Sequence, residues 1–161
     1  MMEDDVVLER RQRGDLARAE IWLNRPDKGN ALTLPMIARL GAIVDDLAAD
    51  RSVRAVVIRG RGRFFCTGGD IVAWGRLDPY EMGREWILRG ADVFERIAAL
   101  PQAVVAAIAG HALGGGLELA MAADLRIAVR HAKLGCPEAS LGMIPGWTGT
   151  TRLAELVGQA R

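Results

Sequence analysis

Two short apolar runs, residues 53–59 (VRAVVIR) and 104–108 (VVAAI), each end in a glycine-containing turn. Runs of β-branched and small apolar residues with little polar alternation are typical of strands that are buried on both faces. The segments after both turns, and the stretch before the first run, repeat apolar residues at helical spacing. The resulting order of strand, helix, strand, helix and strand predicts an α/β domain with a largely parallel sheet.

The same periodicities predict the remaining elements. Alternating apolar and polar residues indicate an opening β-hairpin, with strands at residues 6–9 and 17–23 around an Arg13-Gly14-Asp15 turn. Helical spacing predicts a helix from Leu34 to about Asp50, with Thr33 as its N-cap. Further predicted elements are a short helix at residues 71–74, a break at 77–79, a helix from Ile87 to near Pro101, a helix start at 117–121, a strand at 125–129 and a helix that begins at Thr150.

Length and charge restrict the class of protein. With 161 residues the chain is large enough for one domain and too short for two. Its 21 basic and 20 acidic side chains nearly balance, so no strong field would attract nucleic acid or an anionic membrane. We therefore expect a small molecule or another protein as the partner.

The N-terminal order of charges favours a cytoplasmic protein. Acidic residues precede a short apolar stretch and then basic residues, the wrong order for a signal peptide, and no apolar run reaches membrane-spanning length. Cys66 and Cys136 are far apart and form no CxxC pair, which fits free thiols in a reducing compartment. His111 and His131 lie outside any HExxH pattern, so no metal site is expected, and His111 is interpreted as a structural histidine.

Three glycine-containing turns carry residues that could act on a ligand. In the first, Gly68 and Gly69 precede Asp70 at a predicted helix start. Free backbone N–H groups at such a start favour an anion or a developing oxyanion. The simpler interpretation is an ordinary helix start with Asp70 as its N-cap.

The second turn runs through a glycine triplet, residues 114–116, to Glu118 at the start of a helix. It lacks the lysine and hydroxyl of a P-loop and does not match GxGxxG, so a nucleotide phosphate is not the predicted ligand. Glu118 taken alone could serve only to favour the helix dipole.

The third turn places Glu138 between Pro137 and an apolar stretch. A carboxylate buried there would have a raised pKa, as a proton donor needs, whereas a surface glutamate is the simpler alternative. The chain has no GxSxG motif and only two histidines, which disfavours a hydrolase that forms a covalent intermediate.

Taken in order, four segments of the chain resemble the crotonase (enoyl-CoA hydratase/isomerase) superfamily. They are LNRPDKGNAL (residues 23–32), FFCTGGDI (64–71), AGHALGGGLELAMAADLRIA (109–128) and GCPEASLGMIPG (135–146). The resemblance implies a crotonase-like spiral of repeated ββα units, with residues 1–161 as the N-terminal core domain. Family members continue into a C-terminal helical region, which we expect to be absent or truncated after residue 161. Where that region is present, the resemblance implies a homotrimer or hexamer.

The resemblance also implies the groups that bind the substrate, an acyl-CoA thioester. Coenzyme A is part of that substrate, so no separate cofactor is expected. The backbone N–H groups of Gly69 and Gly115 would form an oxyanion hole for the thioester oxygen. The residues expected to touch the CoA moiety are Lys28, Ala31, Phe65 and Thr67.

The family's hydratases carry glutamates at the positions of Glu118 and Glu138, whereas many isomerases retain only the second or neither. Glu118, with the Gly146 N–H, would hold and deprotonate water, and Glu138 would protonate the α-carbon, as a pair that titrates together. The predicted function is hydration of a trans-2-enoyl-CoA to a 3-hydroxyacyl-CoA by a lyase of fatty acid metabolism. Two alternatives stay open: an enoyl-CoA isomerase or epimerase, and a truncated domain that binds CoA or another subunit without turnover.

The residues after Pro145-Gly146 depart from the family's pattern. Trp147 and Thr148 lie where hydratases commonly have small residues. An indole there could narrow the acyl pocket or only fill the core, so the sequence leaves the acyl-chain preference open.

Overall fold

The computed structural model describes residues 4–14 and 16–159. In this part of the chain eight strands form, listed in order as β1 (Val6–Arg13), β2 (Leu16–Leu23), β3 (Val53–Gly60), β4 (Phe64–Cys66), β5 (Ala103–Ile108), β6 (His111–Leu113), β7 (Leu125–Ala128) and β8 (Leu134–Gly135). Five of them make the main sheet in the order β1-β2-β3-β5-β7, and β4-β6-β8 make a second sheet. Only the β1–β2 pair is antiparallel among these, so the predicted α/β class with a largely parallel sheet is confirmed.

The helices of the described residues are α1 (Leu34–Ala49), α2 (Ile71–Trp74), α3 (Pro79–Glu81), α4 (Arg89–Ala98), α5 (Gly115–Met121) and α6 (Gly149–Val157). A π-helical segment, Met82–Leu88, joins α3 to α4, and short 3-10 turns occupy Pro26–Lys28 and Pro137–Leu141. Across residues 4–14 and 16–159, no helix has both the length and the hydropathy needed to cross a membrane.

The opening hairpin and the first helix form as predicted. β1 pairs with β2 from Val6 opposite Leu23 to Arg13 opposite Leu16, so β1 is longer than the predicted 6–9. The charged residues in the second half of β1 lack the alternation of apolar and polar residues that predicts a strand. Their backbone groups nevertheless pair with β2. The turn residue Asp15 lies outside the described residues. Thr33 caps α1 as predicted, since its side chain accepts a hydrogen bond from the Met36 N–H (3.4 Å).

The predicted break after the short helix is confirmed, because α2 ends at Trp74 and residues 75–78 are not helical, but a further helix begins directly afterwards at Pro79. The Asp78 side chain accepts from the Glu81 N–H (2.8 Å), and the Glu81 side chain accepts from the Asp78 N–H (3.0 Å). Such a capping box satisfies donors that the first helical turn leaves free. The predicted helix from Ile87 corresponds to α4, but the helical stretch begins earlier than predicted, at Pro79, because the capping box starts a turn that the π-helical segment joins to α4.

The central strands are buried on one face only, which corrects the prediction of two buried faces. In β3, Val56 and Ile58 are fully buried, whereas Val57 and Arg59, which alternate with them, are partly exposed. The buried face packs into a single core with the inward residues of α1 and α4. None of the described elements buries the opposite face of β3 to the same degree.

The second sheet was not predicted, and it positions the site. Its strands are two or three residues long, too short to show a periodicity. Because β4, β6 and β8 are parallel neighbours, the turns after all three leave the same edge of the sheet. Those turns are the three glycine-containing segments singled out above.

Candidate active site

The turns after β4 and β6 leave two backbone N–H groups available on adjacent segments. Leu32 forms a parallel bridge with Gly69, in which Leu32 N–H donates to the Gly68 carbonyl and Asp70 N–H donates to the Leu32 carbonyl, both at 2.8 Å. In a parallel ladder the bridged residue's own N–H points to the opposite side, so the Gly69 N–H faces away from Leu32. Gly115 is the first residue of α5, where an N–H has no intrahelical acceptor.

Glu118, in α5, is enclosed by the loop that precedes α6. Its Oε1 accepts hydrogen bonds from the Trp147 N–H (2.7 Å) and the Gly149 N–H (2.8 Å), and the residue is 2% exposed. Thr148, between the two donors, has a left-handed φ of 78°, which turns the backbone so that both neighbouring N–H groups reach one oxygen. A Cβ on Gly149 would lie 2.7 Å from the same oxygen, so this position requires glycine.

Burial raises the pKa of Glu118, because removal from water disfavours the charged carboxylate. Hydrogen bonds from the Gly149 and Trp147 N–H groups oppose the rise, with a smaller opposing contribution from Gly146, while the nearby charge of Glu138 adds to it. The net direction is upward. Glu118 therefore changes charge closer to neutral pH than a surface glutamate does.

This raised pKa predicts a pH-dependent stability difference between the wild type and Glu118→Gln. Below the ordinary pKa of a glutamate, the carboxyl is protonated in both the folded and the unfolded chain and makes no difference. Above the raised pKa, folding buries a charge, which destabilises the wild type but not the amide variant. We expect the stability of Glu118→Gln relative to wild type to increase as pH rises through this window. Urea unfolding at a series of pH values measures it, and parallel pH profiles would show that the carboxylate is not desolvated.

Glu138 lies in the 3-10 turn Pro137–Leu141 and is 8% exposed. Its Oε2 is buried and has no hydrogen-bond partner among the described residues. A buried polar atom without a partner is costly, so it points to a ligand or solvent that completes it. A Cβ on Gly114 would lie 2.8 Å from Oε1, so the glycine provides the space that this carboxylate fills.

Both glutamates line one cavity of about 320 Å³, together with Gly69 and Gly115. Apart from Thr67, the two carboxylates are the only polar side chains among the described residues that line it. An apolar cavity with a few convergent polar groups is the usual form of a small-molecule site. The larger apolar side chains that line the cavity are those of Ile71, Trp74, Met82, Trp86, Ile87, Leu141, Met143, Ile144 and Trp147.

Nearly the whole chain matches one known family. The family model described as "Enoyl-CoA hydratase/isomerase" matches residues 16–161. The chain belongs to this family. A probable enoyl-CoA hydratase of Bacillus subtilis is 46% identical over 132 residues, which are 82% of this chain and 51% of that protein. The crotonyl-CoA hydratase of Syntrophomonas wolfei is 39% identical over 159 residues, which are 98% of this chain and 59% of that protein.

A solved structure of the same family supports the fold. The crystal structure of an enoyl-CoA hydratase from Bacillus anthracis matches with a TM-score of 0.89 at 35% identity, over 96% of this chain and 59% of that chain. The predicted crotonase-like fold is thereby confirmed. The chain spans about half the length of the relatives it matches.

In this member of the enoyl-CoA hydratase/isomerase family, a second cavity of about 290 Å³ adjoins the first and shares Thr67, Gly69 and Ile71 with it. Lys28 and Ala31 also line it, so three of the four residues expected to touch the CoA moiety lie together. The structure does not bring the fourth, the Phe65 side chain, into either cavity. The hydrophobic core encloses its ring, which is 1% exposed.

Arg25 fixes the turn that contains Gly69, a role that no local pattern indicated. Its guanidinium donates to Asp70 Oδ2 from both Nη atoms (3.1 Å each) and to the Ala31 carbonyl (2.7 Å). Asp70 also accepts from two N–H groups of α2, so its predicted N-cap role is confirmed. Arg25 thereby ties the segment of Ala31 to the turn of Gly69. Its only sequence signal was its place in LNRPDKGNAL.

His111 and Cys66 have structural rather than chemical roles. His111 Nδ1 accepts a hydrogen bond from the Lys133 N–H (3.0 Å), as expected of a structural histidine. Burial raises the pKa of the Cys66 thiol to about 12, so it stays protonated and is not a nucleophile. In the part of the chain that the structure describes, no group of three or more His, Cys, Asp or Glu could hold a metal ion.

Proposed function

We propose that the protein adds water to a trans-2-enoyl-CoA and forms a 3-hydroxyacyl-CoA. The observation that carries this proposal is the pair of buried carboxylates, Glu118 and Glu138, in one cavity with Gly69 and Gly115. Hydration needs a base for the water and an acid for the α-carbon, whereas moving a double bond requires only one group that carries a proton. Similarity to a crotonyl-CoA hydratase supports the same assignment.

In the proposed reaction, the thioester oxygen accepts hydrogen bonds from the Gly69 and Gly115 N–H groups. As water attacks the β-carbon, the double-bond electrons move toward the carbonyl, and its oxygen gains the negative charge of an enolate. Donors already placed at that oxygen lower the barrier, and removal of one such donor in other enzymes costs roughly 3–4 kcal/mol.

Glu118 is suited to hold the attacking water and to take its proton. The Trp147 and Gly149 N–H groups both bind Oε1, which leaves Oε2 for the water, and we assign the Gly146 N–H to the same water. Glu138 is suited to protonate the α-carbon, because its Oε2 has no partner among the described residues. The nearby charge of Glu138 contributes to the raised pKa of Glu118. Each turnover transfers a proton from Glu138 to the α-carbon and a proton from the water to Glu118, and exchange with solvent restores both carboxyl groups.

The proposed substrate extends from the first cavity into the second. Lys28 is exposed beside Ala31 and Thr67, so its ammonium group is placed to contact the CoA moiety. We place the protein in the cytoplasm, because free thiols at Cys66 and Cys136 are stable in a reducing compartment. The homotrimer or hexamer implied by the family resemblance stays a prediction.

Incubation of the full chain with crotonyl-CoA tests the proposed function. We expect a product that is heavier than the substrate by one water, with loss of the conjugated thioester absorbance. In D2O the product should carry one deuterium on its α-carbon. A product of unchanged mass with a moved double bond would contradict hydration and support an isomerase. CoA binding without conversion of any acyl-CoA would support a domain without turnover.

A further inference from the structure

The indole of Trp147 is buried in a slot between two glycines, and the residue is 3% exposed. A Cβ on Gly90, in α4, would overlap the indole Nε1, and a Cβ on Gly115 would lie 2.5 Å from Cζ3. Close-packed interiors do not accept such overlaps. The indole is therefore accommodated only because both positions are glycine.

Three contacts hold the indole in this slot. Its Nε1 donates a hydrogen bond to the Trp86 carbonyl (3.0 Å). Its ring centroid lies 5.0 Å from that of Trp86 and 5.3 Å from that of Phe94, the latter in an edge-to-face arrangement at 71°. Trp86 packs in turn on Trp74, with ring centroids 6.0 Å apart. Rotation of the indole would break the hydrogen bond and both ring contacts.

The indole lies between the proposed oxyanion hole and α4. On one side it touches Gly115, whose N–H we assign to the thioester oxygen, and on the other side it reaches Gly90 in α4. It also lines the 320 Å³ cavity, with Trp74 and Trp86. An acyl chain that starts at the oxyanion hole meets the indole before it can enter the space beside α4.

The same cavity offers nothing to neutralise a negative charge on the acyl group. Among the described residues that line it there is no Lys, Arg or His, and its charged side chains are Glu118 and Glu138. A carboxylate on the acyl group would be buried beside two others without a counter-ion, which strongly disfavours binding.

We infer that the Trp147 indole, seated between Gly90 and Gly115, is the end wall of the acyl pocket and restricts the substrate to short, uncharged acyl chains. This inference rests on the proposed function, since it takes the oxyanion hole as the start of the acyl chain. One methylene in a hydrophobic pocket changes specificity by about 10–200-fold, so a wall at this place sets a steep limit on chain length.

Trp147→Ala tests whether the indole limits the length of the acyl chain, because the variant loses the indole but keeps the backbone N–H that binds Glu118. The measurement is kcat/KM of the full chain for straight trans-2-enoyl-CoAs of increasing length. We expect the ratio of the ten-carbon to the four-carbon value to rise at least about 10-fold over wild type. Trp22→Ala, which removes an indole that packs under Arg59 and Arg61 outside this cavity, is the matched control. An unchanged ratio in Trp147→Ala, or an equal rise in the control, would overturn the inference.

Gly90→Ala tests whether the position of the Trp147 indole depends on the glycine in α4. The added methyl group collides with the indole and pushes it toward the cavity, so activity with a six-carbon substrate should fall about 10-fold relative to the four-carbon substrate. Adding Trp147→Ala removes the collision and should remove the defect. Gly83→Ala is the matched control, since a Cβ there meets nothing within 4 Å. A defect that persists in the double variant would overturn the inference.

Binding of non-reacting acyl-CoAs separates this inference from the proposed function. Calorimetry should show that the wild type binds butyryl-CoA more tightly than decanoyl-CoA, and that Trp147→Ala shifts this preference by at least about 10-fold. Pentanoyl-CoA should bind more tightly than glutaryl-CoA, which has the same number of acyl carbons and a terminal carboxylate. If the wild type shows this pattern but hydrates no enoyl-CoA, the proposed function fails and the pocket assignment stands. Equal affinities for butyryl-CoA and decanoyl-CoA in the wild type would overturn the assignment whatever the activity.

Discussion

Glu118→Gln is expected to lower kcat for crotonyl-CoA hydration by about 10²–10⁴-fold, the range that a positioned general base contributes. The amide has nearly the size of the carboxylate, and its oxygen can still accept the Trp147 and Gly149 N–H bonds. The water would keep an acceptor but lose the group that takes its proton. Steady-state rates with crotonyl-CoA measure the loss, and circular dichroism shows whether the fold is kept.

Glu20→Gln is the matched control for this substitution. Glu20 is as buried as Glu118, at 3% against 2% exposed, but it pairs with Arg18 and Arg59 and lines no part of the cavity between the two glutamates. Its amide variant shows what the loss of any buried carboxylate does to the protein. An equal loss of hydration in Glu20→Gln would contradict the role of Glu118 as the base. A Glu118→Gln rate within about 10-fold of wild type would contradict it as well.

Glu138→Gln is expected to reduce hydration by a similar factor, about 10²–10⁴-fold, and also to stop proton exchange at the α-carbon. The physical reason is that Glu138 is the group assigned to carry the α-proton in both directions. A saturated acyl-CoA in D2O should exchange its α-proton through the same enolate in the wild type. That exchange should continue in Glu118→Gln, which lacks only the base for water, and should be lost in Glu138→Gln. Mass spectrometry of the recovered acyl-CoA measures the exchange.

Two results would contradict this division of roles. If α-exchange survives in Glu138→Gln while hydration is lost, another group carries the α-proton. The double variant Glu118→Gln/Glu138→Gln should be little slower than either single variant, because groups that act as a unit are not additive. Fully additive losses would show that the two carboxylates act independently.

Elements with strong local signals were predictable from the sequence. α1 has apolar residues at helical spacing along its length and a threonine at its N-cap, and both features act within a few residues of chain. β3 was predictable as a strand for the same reason, although not which of its faces is buried, because that depends on what packs there. The helical stretch from Pro79 to Leu88 was not predicted, since the π-helical segment Met82–Leu88 does not follow the spacing of an α-helix.

The second sheet was not predictable, because its stability comes from pairing between distant segments. Phe64 lies opposite His111, and Leu113 lies opposite Gly135, and each partner is a strand of only two or three residues. No local periodicity marks such strands. Yet their parallel pairing alone brings the turns of Gly69, Gly115 and Glu138 to one edge of the sheet.

The sequence was sufficient to predict the family and the candidate site residues, because the glycine turns and the two glutamates follow one another in the order of a known family. Taken one at a time, Glu118 and Glu138 looked like a helix-start residue and a surface residue. The tertiary structure alone decided that both are buried in one cavity, that Oε1 of Glu118 is held by two N–H groups, and that Trp147 fits between Gly90 and Gly115. The reason is physical: desolvation and steric fit depend on distances between segments that are far apart in the chain, and no single segment contains them.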